Sequence, residues 1–235
     1  GACERCGTAV TQKDLEQWFF RITDFIEDQV FEGRTIKGLL SGLDDVDFWE
    51  RIAKQQTDWI GRSEGAEVAF GIKNKELRIK VFTTRPDTLF GATYLVVAPE
   101  HEILKNKELR IKNQGEVEKY IKEAKSKSDI ERSDLAKDKT GVEIEGVRAI
   151  NPVNNEEIPI YVADYVLGDV GTGAVVGVPG HDKRDFQFAQ MFGLKITRVV
   201  QRDAQATDPI HSVEKVQAEE GKMVNSEFLN GLDIH

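Results

Sequence analysis

The hydrophobic period of this 235-residue chain changes at Gly61, and that change constrains the fold more than any other feature. Before Gly61, apolar residues recur at three- and four-residue steps. Leu15, Trp18, Phe19, Ile22, Phe25, Ile26 and Val30 share one face of a helix expected over 11–32. Thr11, with Asp14 three residues on, is the expected N-cap pair. A second short helix is expected near 46–57, with Phe48, Trp49 and Ile52 turned inward. Both helices need a partner surface. After Gly61 the pattern turns to strands, at 68–72, 77–84, 92–98, 141–150, 157–163 and 172–178. A charged helix is expected over 115–139 and another over 182–192, closed by Gly193. Residues 203–222 read as polar loop. Regular βαβ alternation is missing, so the expected class is α+β, a β-rich body with inserted helices.

Hydrophobic residues make up 40% and charged residues 31%, an ordinary globular mixture. No stretch approaches the roughly 20 apolar residues of a membrane span, so no membrane partner is expected. The net charge of -9 argues against a general polyanion binder. Residues 105–139, with 11 basic and 8 acidic side chains, are the best place for a local nucleic-acid contact. A solvated mixed-charge helix explains the same residues. Lys-Asn-Lys-Glu-Leu-Arg-Ile-Lys occurs at both 73–80 and 105–112, too short and isolated for a repeat unit, and carries no assigned role.

Cys3 and Cys6 form one CxxC turn followed by Gly7. Two cysteines cannot staple a chain of this size, so a reducing compartment, the cytoplasm, is expected. Tetrahedral zinc needs four ligands, usually two such pairs, and none of the four histidines stands at ligand spacing. Residues 1–10 therefore read as half of a zinc ribbon, whose other half would lie before Gly1, or as a chance CxxC.

Two segments can carry chemistry. At 81–91 a strand ends in Thr83 and Thr84, and Pro86 stops pairing just after Arg85. Hydroxyls at that edge can bind a carbonyl, a water or a sugar hydroxyl. Arg85 can hold a phosphate or the nearby Asp87. At 171–185 a glycine-rich strand and a Pro-Gly turn deliver His181, Asp182 and Asp185 to a helix start. Capping explains Asp182. Asp185 can instead face a pocket and hold a cation. Gly171-Thr172-Gly173 is a weak phosphate-loop signal, with no Lys at the needed spacing. No nucleophile-base-acid order or histidine metal pair appears, so any hydrolysis would position and polarise water.

Residues 83–94, Thr-Thr-Arg-Pro-Asp-Thr-Leu-Phe-Gly-Ala-Thr-Tyr, resemble the threonine-rich motif of the leucyl-tRNA synthetase editing domain. Residues 171–186, Gly-Thr-Gly-Ala-Val-Val-Gly-Val-Pro-Gly-His-Asp-Lys-Arg-Asp-Phe, are similar to that domain's second motif. Trp59–Glu67 resembles the link between synthetase body and editing insertion, and 15–23 a helix of the body. Asp87 and the Gly-Arg-Ser-Glu-Gly link favour the leucyl family over its valyl and isoleucyl relatives.

The resemblance implies a β-barrel-like editing domain over 61–235, expected to be truncated at its C-terminal end, preceded by a helical piece of the synthetase body over 11–60 and the zinc-ribbon remnant. It implies hydrolysis of the ester of a wrong amino acid on the 3′ end of tRNA(Leu). By position, Thr83 and Thr84 would meet the ester and the attacking water, and Asp185 would anchor the α-ammonium. Thr88 would exclude leucine by bulk. Val176 and Val178 would form an apolar wall, while Arg85, Asp87, His181, Asp182 and Arg184 would line or brace the pocket. Val170 and Val176 stand where relatives often carry Tyr and Met, which reshapes the pocket. Editing itself would need no cofactor. Zinc would need ligands outside this chain, and ATP and Mg belong to the parent's absent catalytic domain, whose His-Ile-Gly-His and KMSKS signatures are missing. The expected partners are tRNA(Leu) and the rest of the synthetase body. Two rivals are a non-catalytic tRNA-binding piece and an editing domain of valyl or isoleucyl type.

Overall fold

The computed structural model describes residues 3–8, 15–133, 139–202, 210–216 and 220–234. It divides into two compact units, Gly1–Ser63 and Glu64–His235.

In the first unit the expected helix over 11–32 is absent from its described part. Residues 15–21 carry no regular structure, Ile22–Phe25 make one 3₁₀ turn, and the chain then forms a hairpin of β1 (Gln29–Phe31) and β2 (Arg34–Ile36). Glu32 and Gly33 turn it with positive φ of 49° and 74°. A helical stripe is stable only when something covers it, and Trp18, Phe19, Ile22, Phe25 and Val30 all lie exposed. With no cover, the β-branched residues flanking a Glu-Gly turn decide the local structure. Thr11 and Asp14 lie outside the described residues. The second helix, α1 (Glu50–Ile60), starts later than expected and ends at Gly61 in the left-handed conformation. Phe48 and Trp49 do not turn inward: they are 42% and 84% exposed. Gly38 is the only buried residue among the described residues of this unit.

The second unit holds a mixed six-stranded sheet. Its strands are β3 (Ala66–Ile72), β4 (Arg78–Thr83), β5 (Tyr94–Val97), β6 (Val142–Ile150), β7 (Glu157–Val162) and β8 (Ala174–Gly177). The order is β4-β3-β6-β7-β5-β8, antiparallel throughout except for β5 beside β7. The end strands β4 and β8 also approach each other, so the sheet nearly closes into a barrel. Every residue of β5 is buried because it is covered on both faces. Leu95 and Val97 join the main core with Phe70, Val81 and Ile160. Tyr94 and Val96 face Tyr161 and Phe188 on the other side.

Helices α2 (Gln114–Lys125) and α3 (Asp129–Ser133) lie between β5 and β6 in sequence, and α4 (Lys183–Met191) follows β8. Helix α2 buries Val117 and Ala124, and on its surface Lys119 pairs with Glu123 at 3.9 Å. A short pair, β9 (Val200–Gln201) with β10 (Lys222–Met223), completes the unit. Among the described residues, no helix is long and apolar enough to cross a membrane.

Candidate active site

The first motif is shaped by the end of β4. Thr83 closes the strand, and its Oγ1 accepts the Arg85 N–H at 3.0 Å. That contact turns the chain outward into a 3₁₀ segment opened by Pro86, whose ring fixes φ where no strand donor is needed. Arg85 grips Asp87 through a two-pronged contact, Nε to Oδ1 at 3.0 Å and Nη2 to Oδ2 at 2.7 Å. Of the partners open to Arg85 in the sequence, the structure selects Asp87, and this fork holds the guanidinium pKa above its ordinary value. Thr88 is buried, and its hydroxyl donates to the Arg85 carbonyl at 3.0 Å.

The second motif runs from β8 into α4. Gly177 is obligatory: a Cβ there would meet the Tyr94 ring at 2.1 Å. Gly180 sits equally close to the Thr197 carbonyl, 2.4 Å from where a Cβ would stand. Asp182 caps α4, its Oδ1 accepting from Arg184 N at 2.7 Å and Asp185 N at 3.1 Å. His181 is buried and accepts from the Val199 and Val200 amides at Nε2, at 2.9 and 3.2 Å. Two N–H groups aimed at one ring nitrogen require its lone pair, so His181 braces β9 and does not offer Nε2 to a ligand.

Asp185 is the unusual group. Its Oδ2 accepts the Val178 N–H at 2.8 Å, and the Tyr94 hydroxyl donates to its backbone carbonyl at 3.2 Å. The Tyr94 hydroxyl also lies against the carboxyl group. The carboxyl is packed round by protein, with a residual opening to the cavity. Burial pushes its pKa up to about 7, and the neighbouring Asp182 charge adds to the rise. The Val178 N–H, the Arg184 charge and the Tyr94 hydroxyl pull the other way.

Both motifs line one cavity of about 620 Å³. Thr83, Thr84, Arg85, Thr88, Val176, Val178, His181, Asp182, Arg184 and Asp185 all border it. Asp87 does not; it acts through Arg85. Phe82, Lys139, Tyr165, Val166, Leu167 and Val175, none of them among the expected site residues, also form its walls. Lys139 and 165–167 come from connections far from either motif, and no spacing rule marks them. The only available signal was the apolar run after β7.

Cys3 and Cys6 stand apart from this chemistry. The turn is closed by Gly7 N to Cys3 O at 2.8 Å, and Cys6 Sγ donates to Thr8 Oγ1 at 3.2 Å. Both thiols are free, and among the described residues no group of three His, Cys, Asp or Glu could hold a metal ion. The described residues thus offer at most two of the four ligands zinc needs.

The family model for the leucyl-tRNA synthetase editing domain matches residues 57–235. The leucine–tRNA ligase of Alkaliphilus oremlandii is 44% identical over 234 residues, covering 100% of this chain and 27% of that protein. That of Clostridium perfringens is 46% identical over 234 residues, covering 99% and 26%. Among solved structures, the ternary LeuRS–tRNA–LeuAMS complex of Agrobacterium radiobacter matches with TM-score 0.62 and 38% identity, over 92% of this chain and 24% of that one. The chain therefore spans about a quarter of the length of the relatives it matches. With both motifs brought to one cavity of a nearly closed barrel, the chain belongs to the leucyl-tRNA synthetase family and carries its editing domain.

Proposed function

We propose that this cavity hydrolyses the ester joining a noncognate amino acid to the 3′ end of tRNA(Leu), within a cytoplasmic parent enzyme that ligates leucine to that tRNA using ATP. One observation carries the proposal: a carboxylate held by the Val178 N–H, Asp185, shares a cavity with the hydroxyl-bearing strand end Thr83–Thr84. An aminoacyl ester has the complementary features, an α-ammonium beside an electrophilic carbonyl.

Asp185 Oδ1 would take the ammonium, while the Val178 N–H keeps Oδ2 in place. The Thr84 hydroxyl and the Thr83 side chain would orient the carbonyl and a water. The water oxygen bonds to the carbonyl carbon, the ester C–O bond breaks, and the ribose oxygen leaves with a proton. The amino acid departs as its carboxylate, and the second proton of the water passes to solvent. No protein group is acylated, so catalysis rests on orientation and charge placement. Thr88, buried and tied to Arg85, would set the depth of the pocket against leucine. Such a second sieve is needed because one methylene gives only about 1–3 kcal/mol of discrimination in binding.

Deacylation of mischarged tRNA(Leu) by the purified chain tests this. Asp185→Ala should lower kcat/KM by about a hundredfold or more, since a buried charge partner is worth roughly 2–5 kcal/mol. In the wild type, kcat/KM should fall about tenfold per pH unit below about pH 7, where the free carboxyl becomes neutral. Thr88→Ala should begin to hydrolyse correctly charged Leu-tRNA(Leu). Undiminished turnover by Asp185→Ala would sink the assignment.

A further inference from the structure

One wall of the cavity holds a cation that the hydrolytic scheme does not use. Lys139 is 8% exposed and borders the cavity. Its Nζ lies 5.2 Å from the centroid of the Tyr165 ring, a cation–π distance. The other cations on the cavity are matched: Arg85 to Asp87 at 2.7 Å and Arg184 to Asp182 at 3.5 Å. Among the described residues, Lys139 has no carboxylate within ion-pair distance.

Its placement is built. The next residue, Thr140, bonds through Oγ1 to the Tyr120 hydroxyl at 2.8 Å and to Asp164 Oδ1 at 3.3 Å. The segment carrying Tyr165 is pinned on both sides by buried Arg132, which donates to the Asp164 carbonyl at 2.8 Å and the Val166 carbonyl at 2.9 Å. Burying an ammonium without a counter-charge is costly, and the π face of one ring offsets only part of the cost. Lys139 therefore sits as half of an ion pair completed by a ligand.

The substrate of the proposed reaction fixes what that ligand is. Its aminoacyl part is an ester, with a positive ammonium and no carboxylate. Its only anions are the phosphodiesters of the RNA. We propose that Lys139 binds a phosphodiester at the single-stranded 3′ end of the tRNA, with Asp185 holding the opposite charge of the same substrate. This rests on the hydrolytic role proposed above.

Lys139→Gln and Lys139→Arg, assayed on mischarged tRNA(Leu) over a range of salt, test it. Lys139→Gln should raise KM about tenfold and flatten the salt dependence of kcat/KM by about 0.7 in log–log slope, the share of one single-strand phosphate. Lys139→Arg should restore both. A noncognate aminoacyl ester of adenosine has the same ester and ammonium but no phosphate, and with it the Gln variant should lose nothing on KM. Equal losses on both substrates, or a fall in kcat with KM unmoved, would mean that Lys139 acts on the ester or only props Tyr165, and either overturns the proposal. So would an unchanged KM on tRNA. Binding of an uncharged single-stranded RNA ending in a 3′ adenosine needs no turnover. If the wild type hydrolyses nothing but Lys139→Gln still weakens that binding, the hydrolytic role fails and the phosphate contact stands. If neither binding nor KM responds, the phosphate contact fails.

Discussion

Asp185 shows how one residue can serve a site at the expense of the fold. Its pKa rises from an ordinary 3.8 to about 7 because burial disfavours its charge. A carboxyl raised on folding holds its proton more tightly in the folded state. Its contribution to stability is full below about pH 4 and is lost as pH climbs through about 7. Asparagine keeps an acceptor for the Val178 N–H but never charges. Relative to wild type, Asp185→Asn should therefore gain stability between pH 4 and pH 8, by on the order of 1–3 kcal/mol. Urea unfolding at the two pH values measures it, and a gain that shrinks as pH rises would contradict the burial argument. That residue's place was legible in the sequence, since Pro179-Gly180 and the Asp182 cap put it on the first turn of α4. Its raised pKa was not legible, because that depends on what packs round it in the fold.

Elements are decided by what packs on them. The repeated octapeptide is the cleanest case. At 73–80 it makes the turn and opening of β4, with Asn74 at φ 58°, and Ile79 enters the core. At 105–112 it ends a 3₁₀ turn, Asn106 takes φ -78°, and Lys112 N bonds the Glu145 carbonyl at 3.0 Å near the irregular register of β6. Leu109 enters the same core there. Eight identical residues thus follow two partners, β3 in one copy and β6 in the other. The strand β8 is instead set by one close approach. Gly177→Ala would drive a methyl into the Tyr94 ring, whose hydroxyl reaches Asp185. The expected loss is about 1–3 kcal/mol, the usual range for overpacking, read as a lower urea midpoint with unchanged m-value. A neutral outcome would show that β8 can shift away from Tyr94.

At the scale of the whole molecule, the two units differ in what they bury. The second has a core on both faces of β5, whereas the first leaves Trp18, Phe19, Phe20, Trp49 and Trp59 in solvent. So much exposed aromatic surface marks a contact face. The chain should bind a hydrophobic dye and self-associate at micromolar concentration, and residues 64–235 alone should do neither. Sizing and dye fluorescence on both would check this, and a clean, dye-silent monomer of the full chain would refute it. The sequence alone determined the six strands of the main sheet, the α4 cap and the two motifs, because alternation, helix-start chemistry and glycine placement act between neighbours along the chain. Tertiary structure alone decided that 11–32 would not be a helix in its described part, and that Lys139 and Tyr165 would wall the cavity. Those outcomes depend on burial and charge between groups far apart in sequence, which no local period records.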